Sequence, residues 1–163
     1  MIMPTNIGTG EFKPADAGFE ARVRDSFNRQ PAMHLIGAVL ATVKPGLCEV
    51  EMPRKPDVTQ QHGFVHGGIV GMIADSAAGY AAYSLFPADA TVLTVEYKMN
   101  LMAPADGDRM LARAQVTRHG RTLTIVAFDV FAEKSGKMLH CATGLATMMC
   151  MLGRPDAPRT AAS

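Results

Sequence analysis

A single carboxylate lies within one long apolar stretch of this chain. Asp75 is the only charged residue between Gly67 and Leu85. A carboxylate in apolar surroundings is unfavourable unless it is hydrogen-bonded, paired or protonated. One interpretation is a structural hydrogen bond from Asp75 to neighbouring backbone or to Ser76, as for most buried polar groups. The other is a carboxylate of raised basicity that serves as a general base or a nucleophile.

Two histidines at the start of this stretch offer a second kind of chemistry. His66 is a rival acid or base, and its alternative is a structural hydrogen bond at a helix start. His62 and His66 lie four residues apart, a spacing that zinc ligands use on helices. His62 is expected in a loop, and no further cluster of ligands is evident. We therefore predict no metal site.

The apolar pattern predicts the element that positions these residues. Apolar residues recur at helical spacing from Ile69 onward, and the residues between them are small or apolar too. This pattern predicts a buried helix from His66 to Leu85, with Gly67 and Gly68 leaving its first turn open to close approach. A membrane span is not expected, since Asp75 near its middle would cost about 3 kcal/mol.

Composition limits the classes of function. The chain has 163 residues, of which 48% are hydrophobic and 19% charged, and a net charge of +1. These values predict one domain at residues 15–152 between flexible ends at 1–14 and 153–163. They give no reason to expect nucleic acid or a membrane surface as a partner. Three cysteines without a CxxC pair and no secretion signal lead us to expect a cytoplasmic protein.

Strands are predicted on both sides of the long helix. Residues 15–30 carry Phe19, Val23 and Phe27 four apart, which predicts a short amphipathic helix. The predicted strands lie at 34–43 and 47–52 before the long helix and at 93–101, 110–117, 123–132 and 140–151 after it. An antiparallel sheet of five to six strands curled around the helix would bury it, which is an α+β fold.

The strand at 93–101 alternates apolar and polar residues. The expected apolar face carries Leu93, Val95, Tyr97, Met99 and Leu101, and the expected polar face carries Thr94, Glu96, Lys98 and Asn100. We expect the apolar face to pack on the core and the polar face to meet water, a site or a partner chain.

Several motifs together resemble a known family. Gln60 lies six residues before His66, an HGG sequence opens the helix, and Asp75 lies nine residues after the histidine. The segments VLTVEYKMNLMAPA at 92–105 and RHGRT at 118–122 complete the set. From about Phe19 to Met151 the chain is similar to the hotdog-fold acyl-CoA thioesterases of the phenylacetic-acid-pathway type, the PaaI-like thioesterases. The resemblance implies a hotdog fold and acyl-CoA hydrolysis with no cofactor beyond the coenzyme A of the substrate.

The resemblance also implies a role for each matching residue. The backbone N–H of Gly67 and the side-chain amide of Gln60 would bind the thioester carbonyl. Asp75 would be the catalytic carboxylate and Thr94 a helper that orients water or the acid, with His66 as a further catalytic candidate. Contacts to the substrate are also expected from Val65 and Gly68. The cations and N–H groups of the turn at Arg118, His119, Gly120, Arg121 and Thr122 could bind the phosphates of coenzyme A, and the alternative is an ordinary solvated hairpin tip. Many relatives carry Asn in place of Gln60 and some carry Glu in place of Asp75, so direct attack and water activation by Asp75 both stay open.

Helix geometry adds a constraint on such a site. Gly67 and Asp75 are eight residues apart, about 12 Å along a helix, which is too far for both to touch one carbonyl carbon. Two chains related by a twofold axis could complete the site, with the Gly67 end of one helix facing the Asp75 flank of the other. We therefore predict a homodimer, and the resemblance suggests a homotetramer. The polar row that begins at Thr94 is a candidate lining for the seam.

Two other functions stay open. A dehydratase or hydratase of acyl thioesters with the same fold could use His66 and Asp75 as an acid/base pair. A non-catalytic protein could instead bind acyl-CoA without turnover.

Overall fold

The protein combines one long helix with a six-stranded antiparallel sheet. The computed structural model describes residues 11–154 and 156–157. Its helices are α1 (Phe19–Asn28), α2 (Pro31–Ile36) and α3 (Gly67–Tyr83), with a 3₁₀ turn at Pro56–Val58. Its strands are β1 (Val39–Lys44), β2 (Leu47–Pro53), β3 (Ala90–Leu101), β4 (Arg109–His119), β5 (Leu123–Lys134) and β6 (Lys137–Leu152). The strand order β1-β2-β4-β5-β6-β3 places β5 inside the sheet and β3 at one edge.

The predicted long helix is confirmed as α3. His66 is its N-cap, and from Val70 to Tyr83 most of its residues are buried. The helix packs on β2, β4 and β5. Its far end is fixed by Ser84, whose hydroxyl donates to the carbonyl of Ala81 and accepts from the backbone N–H of Gly46. The expected α+β architecture, with the helix buried against the sheet, is therefore confirmed.

The predicted amphipathic helix at 15–30 is also confirmed, as the shorter α1. Val23 and Phe27 are fully or almost fully buried. Arg22 on the same helix reaches the end of α3, where its Nη2 donates to the carbonyl oxygen of Phe86 at 2.8 Å. The guanidinium also lies 4.2 Å from the centre of the Tyr83 ring. Helix α1 thus contacts the C-terminal end of α3 and also covers part of the core.

The prediction that a strand begins at His34 is wrong. Residues Pro31–Ile36 form α2, and β1 begins only at Val39. Pro31 suits the first position of a helix because its missing N–H would have no partner there. Gly37, at φ 73°, ends the helix in the left-handed conformation that favours glycine. These two flanking residues limit the helix to Pro31–Ile36, and the β-branched and apolar residues that follow form β1.

The two faces predicted for the strand at 93–101 are also wrong. In the pairing of β3 with β6, Thr94 lies opposite Met148 but Glu96 lies opposite Thr147, so Val95 is an extra, bulged residue. A bulge reverses the alternation of side chains beyond it. Thr94 therefore shares the helix-facing side with Tyr97, whose hydroxyl lies beside Gly71.

The apolar residues of β3 are not buried as expected. Four of them, Leu93, Val95, Tyr97 and Leu101, are between 44% and 58% exposed. The reason is the position of β3 at the sheet edge, where no other strand within the described residues covers it.

The ends of the chain are described only in part. The flexible ends expected at 1–14 and 153–163 lie largely outside the described residues. Within the second of them, Asp156 accepts hydrogen bonds from Arg29 at 2.7 Å and from Thr91 at 3.0 Å. Among the described residues, no helix is long and apolar enough to cross a membrane.

Candidate functional site

Asp75 lies half-buried on α3 and faces the edge strand. The Thr94 hydroxyl donates a hydrogen bond of 2.8 Å to its Oδ1. The partner of the carboxylate is therefore Thr94 across the helix–sheet contact, rather than the neighbouring Ser76. Burial raises the pKa of Asp75 above its ordinary value, and the hydrogen bond from Thr94 opposes that rise only in part. A carboxylate in this state is a better base than one in water.

The first turn of α3 presents one free donor. The backbone N–H of Gly68 donates to Nδ1 of His66 at 2.9 Å. Since a backbone N–H can only donate, Nδ1 is the acceptor and a neutral His66 ring carries its proton on Nε2. The N–H groups of Ile69 and Val70 bond to the carbonyl of His66. Among the described residues the N–H of Gly67 has no acceptor, so it is available to a ligand at the positive end of the helix dipole.

Gln60 is held in the loop that leads into this turn. Its Oε1 accepts a hydrogen bond from the backbone N–H of His62. The backbone N–H of Gln60 donates to the carbonyl of Phe64 at 2.9 Å, and Gly63 turns the chain with φ 83°. Because the amide oxygen is engaged, the Nε2 group of Gln60 is the end that remains for a ligand.

Five of the expected site residues line two separate cavities. The Asp75 cavity, of about 550 Å³, is bordered by Asp75 and Thr94. The Gly67 cavity, of about 420 Å³, is bordered by Gln60, Val65 and Gly67. Among the described residues, no side chain lines both cavities. One chain thus brings Asp75 and Thr94 together at one cavity and Gln60 and Gly67 together at the other. It does not bring the two pairs to a common cavity.

Gly67 is confined on the cavity side. A Cβ added to it would lie 3.0 Å from Cδ1 of Leu101. A branched side chain at residue 67 would therefore press on Leu101 and occupy the Gly67 cavity. The absence of a side chain at this position is what leaves the free N–H accessible.

The RHGRT turn lies at the opposite end of α3. The His119 ring stacks on Phe86, just beyond the helix, with 6.0 Å between ring centres. Its Nδ1 lies 3.0 Å from the Thr124 hydroxyl, and partial burial lowers its pKa. The turn is tight, because a Cβ added to Gly120 would lie 2.7 Å from the carbonyl oxygen of Leu123. Arg118, Arg121 and Thr122 are exposed.

Metal binding has no structural counterpart in the described part of the chain. Over residues 11–154 and 156–157, no group of three or more His, Cys, Asp or Glu side chains could hold an ion. The imidazole Nδ1 of His66 is also engaged by the Gly68 N–H.

The sequence patterns missed one side of the Asp75 cavity. Its remaining walls include Ser26, Gln30, Gly79, Tyr80, Leu93 and Asp156. Gly79 could have been found, since it lies one helical turn after Asp75 on the same face. The contribution of Gln30 and Asp156 could not, because they come from distant segments with no motif of their own.

The structure resembles solved structures that include a thioesterase family protein. A thioesterase family protein from Silicibacter pomeroyi is 48% identical, with a TM-score of 0.82 over 83% of this chain and all of that chain. The Escherichia coli PaaI protein from the phenylacetic acid degradation operon is 18% identical, with a TM-score of 0.75 over 86% of this chain and 98% of that chain. At that identity, PaaI supports the fold alone. The hotdog fold and the PaaI-like resemblance expected from the motifs are confirmed.

Sequence comparisons point to the same family. Residues 62–139 match the Thioesterase superfamily. Human acyl-coenzyme A thioesterase 13 is 26% identical over 101 residues, which are 61% of this chain and 71% of that protein. The matched region begins at His62 and includes α3, Thr94 and the RHGRT turn. The chain belongs to the thioesterase superfamily and is a thioester hydrolase.

Proposed function

We propose that the protein hydrolyses acyl-CoA or aryl-acyl-CoA thioesters to the free acid and coenzyme A, at a site shared between two chains. The observation that carries this proposal is the separation of the candidate groups into two cavities, which share no lining residue over the described ranges 11–154 and 156–157. The substrate class is supported by the similarity to human acyl-coenzyme A thioesterase 13. No cofactor is needed beyond the coenzyme A of the substrate.

The Gly67 cavity would bind the thioester carbonyl. Negative charge develops on this oxygen when the carbonyl carbon is attacked, and N–H donors fixed in place stabilise it. The N–H of Gly67 and the Nε2 group of Gln60, which have no acceptor in the described part of the chain, are candidate donors on this side. His66 holds the Gly68 N–H in the helix cap and so positions the first turn.

The Asp75 cavity would supply the attacking group. As a general base, Asp75 takes a proton from water while the water oxygen bonds to the carbonyl carbon. As a nucleophile, a carboxylate oxygen of Asp75 forms that bond directly. In both routes the C–S bond then breaks and the thiolate of coenzyme A leaves. In the base route the thiolate takes up the proton that Asp75 removed from water. In the nucleophile route water then hydrolyses the acyl–Asp75 anhydride, which releases the free acid and supplies the proton. The Thr94 hydroxyl occupies one lone pair of Oδ1 and fixes the direction of the carboxylate.

A twofold dimer would bring the two cavities together. Gly67 and Asp75 are about 12 Å apart along α3, which argues against both acting on one carbonyl from the same chain. The long, exposed and apolar edge strand β3 is a surface that monomeric proteins usually protect. We propose that β3 of one chain lies against β3 of a second, and that such dimers pair further into tetramers.

The RHGRT turn would then bind the phosphates of coenzyme A. Arg118 and Arg121 are exposed cations beside a tight turn, and guanidinium groups bind phosphate oxygens well. Val65 and Gly68 would contact the substrate near its thioester, at the N-terminal end of α3.

A free-thiol assay tests this function. We expect release of coenzyme A from a panel of short, long and aromatic acyl-CoAs, and loss of nearly all release in Asp75→Asn with binding kept within a few-fold. Binding without thiol release by the wild-type protein would instead support the non-catalytic alternative. Addition of water to an enoyl-CoA, with no thiol released, would support the hydratase alternative.

A further inference from the structure

The Asp75 cavity continues beyond the carboxylate along α3. Gly79 lies one turn after Asp75 on the same helix face, about 6 Å further along the axis. A Cβ added to Gly79 would meet no atom within 4 Å. This part of the cavity is therefore open because residue 79 has no side chain.

A polar network ends the cavity beyond Gly79. The Gln30 Nε2 group donates to the Tyr80 hydroxyl at 2.6 Å, and that hydroxyl lies 3.1 Å from the hydroxyl of Ser26. Tyr80 is only 5% exposed, so its hydroxyl is fixed by these two partners. Within the described residues Oε1 of Gln30 accepts no hydrogen bond, although Gln30 lines the cavity. The end wall thus offers an acceptor.

Charge at this wall disfavours an ionic ligand. The Arg29 guanidinium is paired with Asp25 at 3.0 Å and with Asp156 at 2.7 Å, so its charge is already neutralised. An anionic group on the ligand would meet Asp156 and Asp75 on the cavity walls. A long apolar chain would remove water from Gln30 and Tyr80 without replacing its hydrogen bonds.

We propose that the Asp75 cavity is the acyl pocket and that Gly79 sets the size of acyl group it accepts. Gln30, held by Tyr80, recognises a neutral hydrogen-bond donor, such as a hydroxyl, at the far end of a compact acyl group. The proposal rests on the acyl-CoA hydrolysis proposed above. It adds the class of acyl group: short, and polar at its end.

Two substitutions of Gly79 test the size limit. Gly79→Leu fills the open space, so the ratio of kcat/KM for hexanoyl-CoA to that for acetyl-CoA should fall at least about tenfold. Gly79→Ala should reduce this ratio less and should raise the melting temperature, because alanine favours a helix and its Cβ has room. An equal fall for both substrates, in variants that melt at or above the wild-type temperature, would overturn the size limit.

Gln30→Met tests the polar end of the pocket. Methionine is similar in length but removes the amide. The wild-type protein should prefer 6-hydroxyhexanoyl-CoA to hexanoyl-CoA, and this preference should fall about tenfold in the variant. An unchanged preference, or none in the wild-type protein, would overturn the role of Gln30.

Binding to Asp75→Asn separates this proposal from the proposed hydrolysis. Calorimetric titration with the same three thioesters measures the pocket without turnover. If the wild-type protein releases no thiol but Gly79→Leu in the Asp75→Asn background still loses affinity for hexanoyl-CoA over acetyl-CoA, hydrolysis fails and the pocket stands. If thiol release is normal but neither titration nor turnover depends on residue 79, the pocket fails and hydrolysis stands.

Discussion

Asp75 combines an unfavourable environment with a hydrogen bond from Thr94. Burial raises its pKa, and the Thr94 hydroxyl lowers it again in part. A group in this state reduces stability for as long as it is charged. Such a residue is retained where its basicity is useful, which links the energetics of the site to its proposed chemistry.

The difference in stability between Asp75→Asn and the wild-type protein should depend on pH. Because the folded pKa lies above the ordinary value of 3.8, the folded protein holds more protons than the unfolded chain between the two values. Wild-type stability therefore falls as pH rises through that window, and the full penalty is present above the folded pKa. Asp75→Asn should melt above the wild-type protein at pH 7, and the difference should vanish in acid. A variant that melts lower at neutral pH would contradict the burial penalty. Thermal melting across pH is the measurement.

Thr94→Val should move the acid limb of the pH–rate profile. Removing the hydrogen bond that lowers the Asp75 pKa lets that pKa rise further. The fall of kcat/KM on the acid side should then begin at a higher pH, and Thr94→Ser should restore the wild-type profile because it keeps the hydroxyl. A profile for Thr94→Val that coincides with the wild-type profile would remove Thr94 from the site.

At the residue scale, sequence patterns identified the acid but not its surroundings. Asp75 was evident because it is the one charge in an apolar helix. Thr94 was assigned by resemblance and then expected on the polar face, because a bulge at Val95 cannot be read from strict alternation. Tyr80 and Gln30 are brought together by packing of the connection between α1 and α2 against α3, for which the sequence carries no local signal.

At the scale of elements, α3 is fixed at both ends by polar contacts. His66 caps its first turn, and Arg22 binds the carbonyl of Phe86 just beyond its last. The periodic helix and the strands after it could be predicted because each follows one regular pattern. Helix α2 could not be told from a strand by periodicity, since only Pro31 and Gly37 mark its six residues.

Arg22→Ala should destabilise the fold. The change removes the hydrogen bond to Phe86, the ion pair with Asp16 and the stacking on Tyr83. A charged hydrogen bond of this kind contributes about 2 kcal/mol to the free energy of unfolding. Urea unfolding should show a loss of about that size.

A matched control lies on the same helix. Arg24→Ala removes a more exposed arginine that pairs with Glu20 and donates a hydrogen bond to the carbonyl of Leu40, and it should cost about 1 kcal/mol or less. Equal losses for the two variants would mean that the contact of Arg22 with α3 contributes no more than these more exposed contacts.

At the scale of the whole molecule, the exposed edge strand is the feature that a single chain does not explain. Strand β3 has twelve residues and carries apolar side chains that are about half exposed. Edge strands of monomeric proteins are usually short, charged or covered. The sequence predicted a dimer from helix length alone, but it placed the polar row of β3 in the seam, whereas the exposed apolar residues are the stronger candidates.

Val95→Lys should separate the chains. A charge on the exposed edge opposes pairing with a second strand, and Val95 is 52% exposed, so the monomer itself loses little packing. We expect a monomer by light scattering, with wild-type circular dichroism and almost no thiol release. An active monomer would contradict the shared site.

Complementation between two inactive variants tests the shared site most directly. Gly67→Val should block the Gly67 cavity and Asp75→Asn should remove the base, so each variant alone should be inactive. In a dimer with one chain of each kind, one site collects both defects and the other collects neither. The two chains are co-expressed with different tags, and the doubly tagged dimer is isolated and assayed for thiol release. The account predicts about half of the wild-type activity per dimer, since one of two sites is intact. A doubly tagged dimer that is folded but inactive would contradict it, and all the chemistry would then lie within one chain.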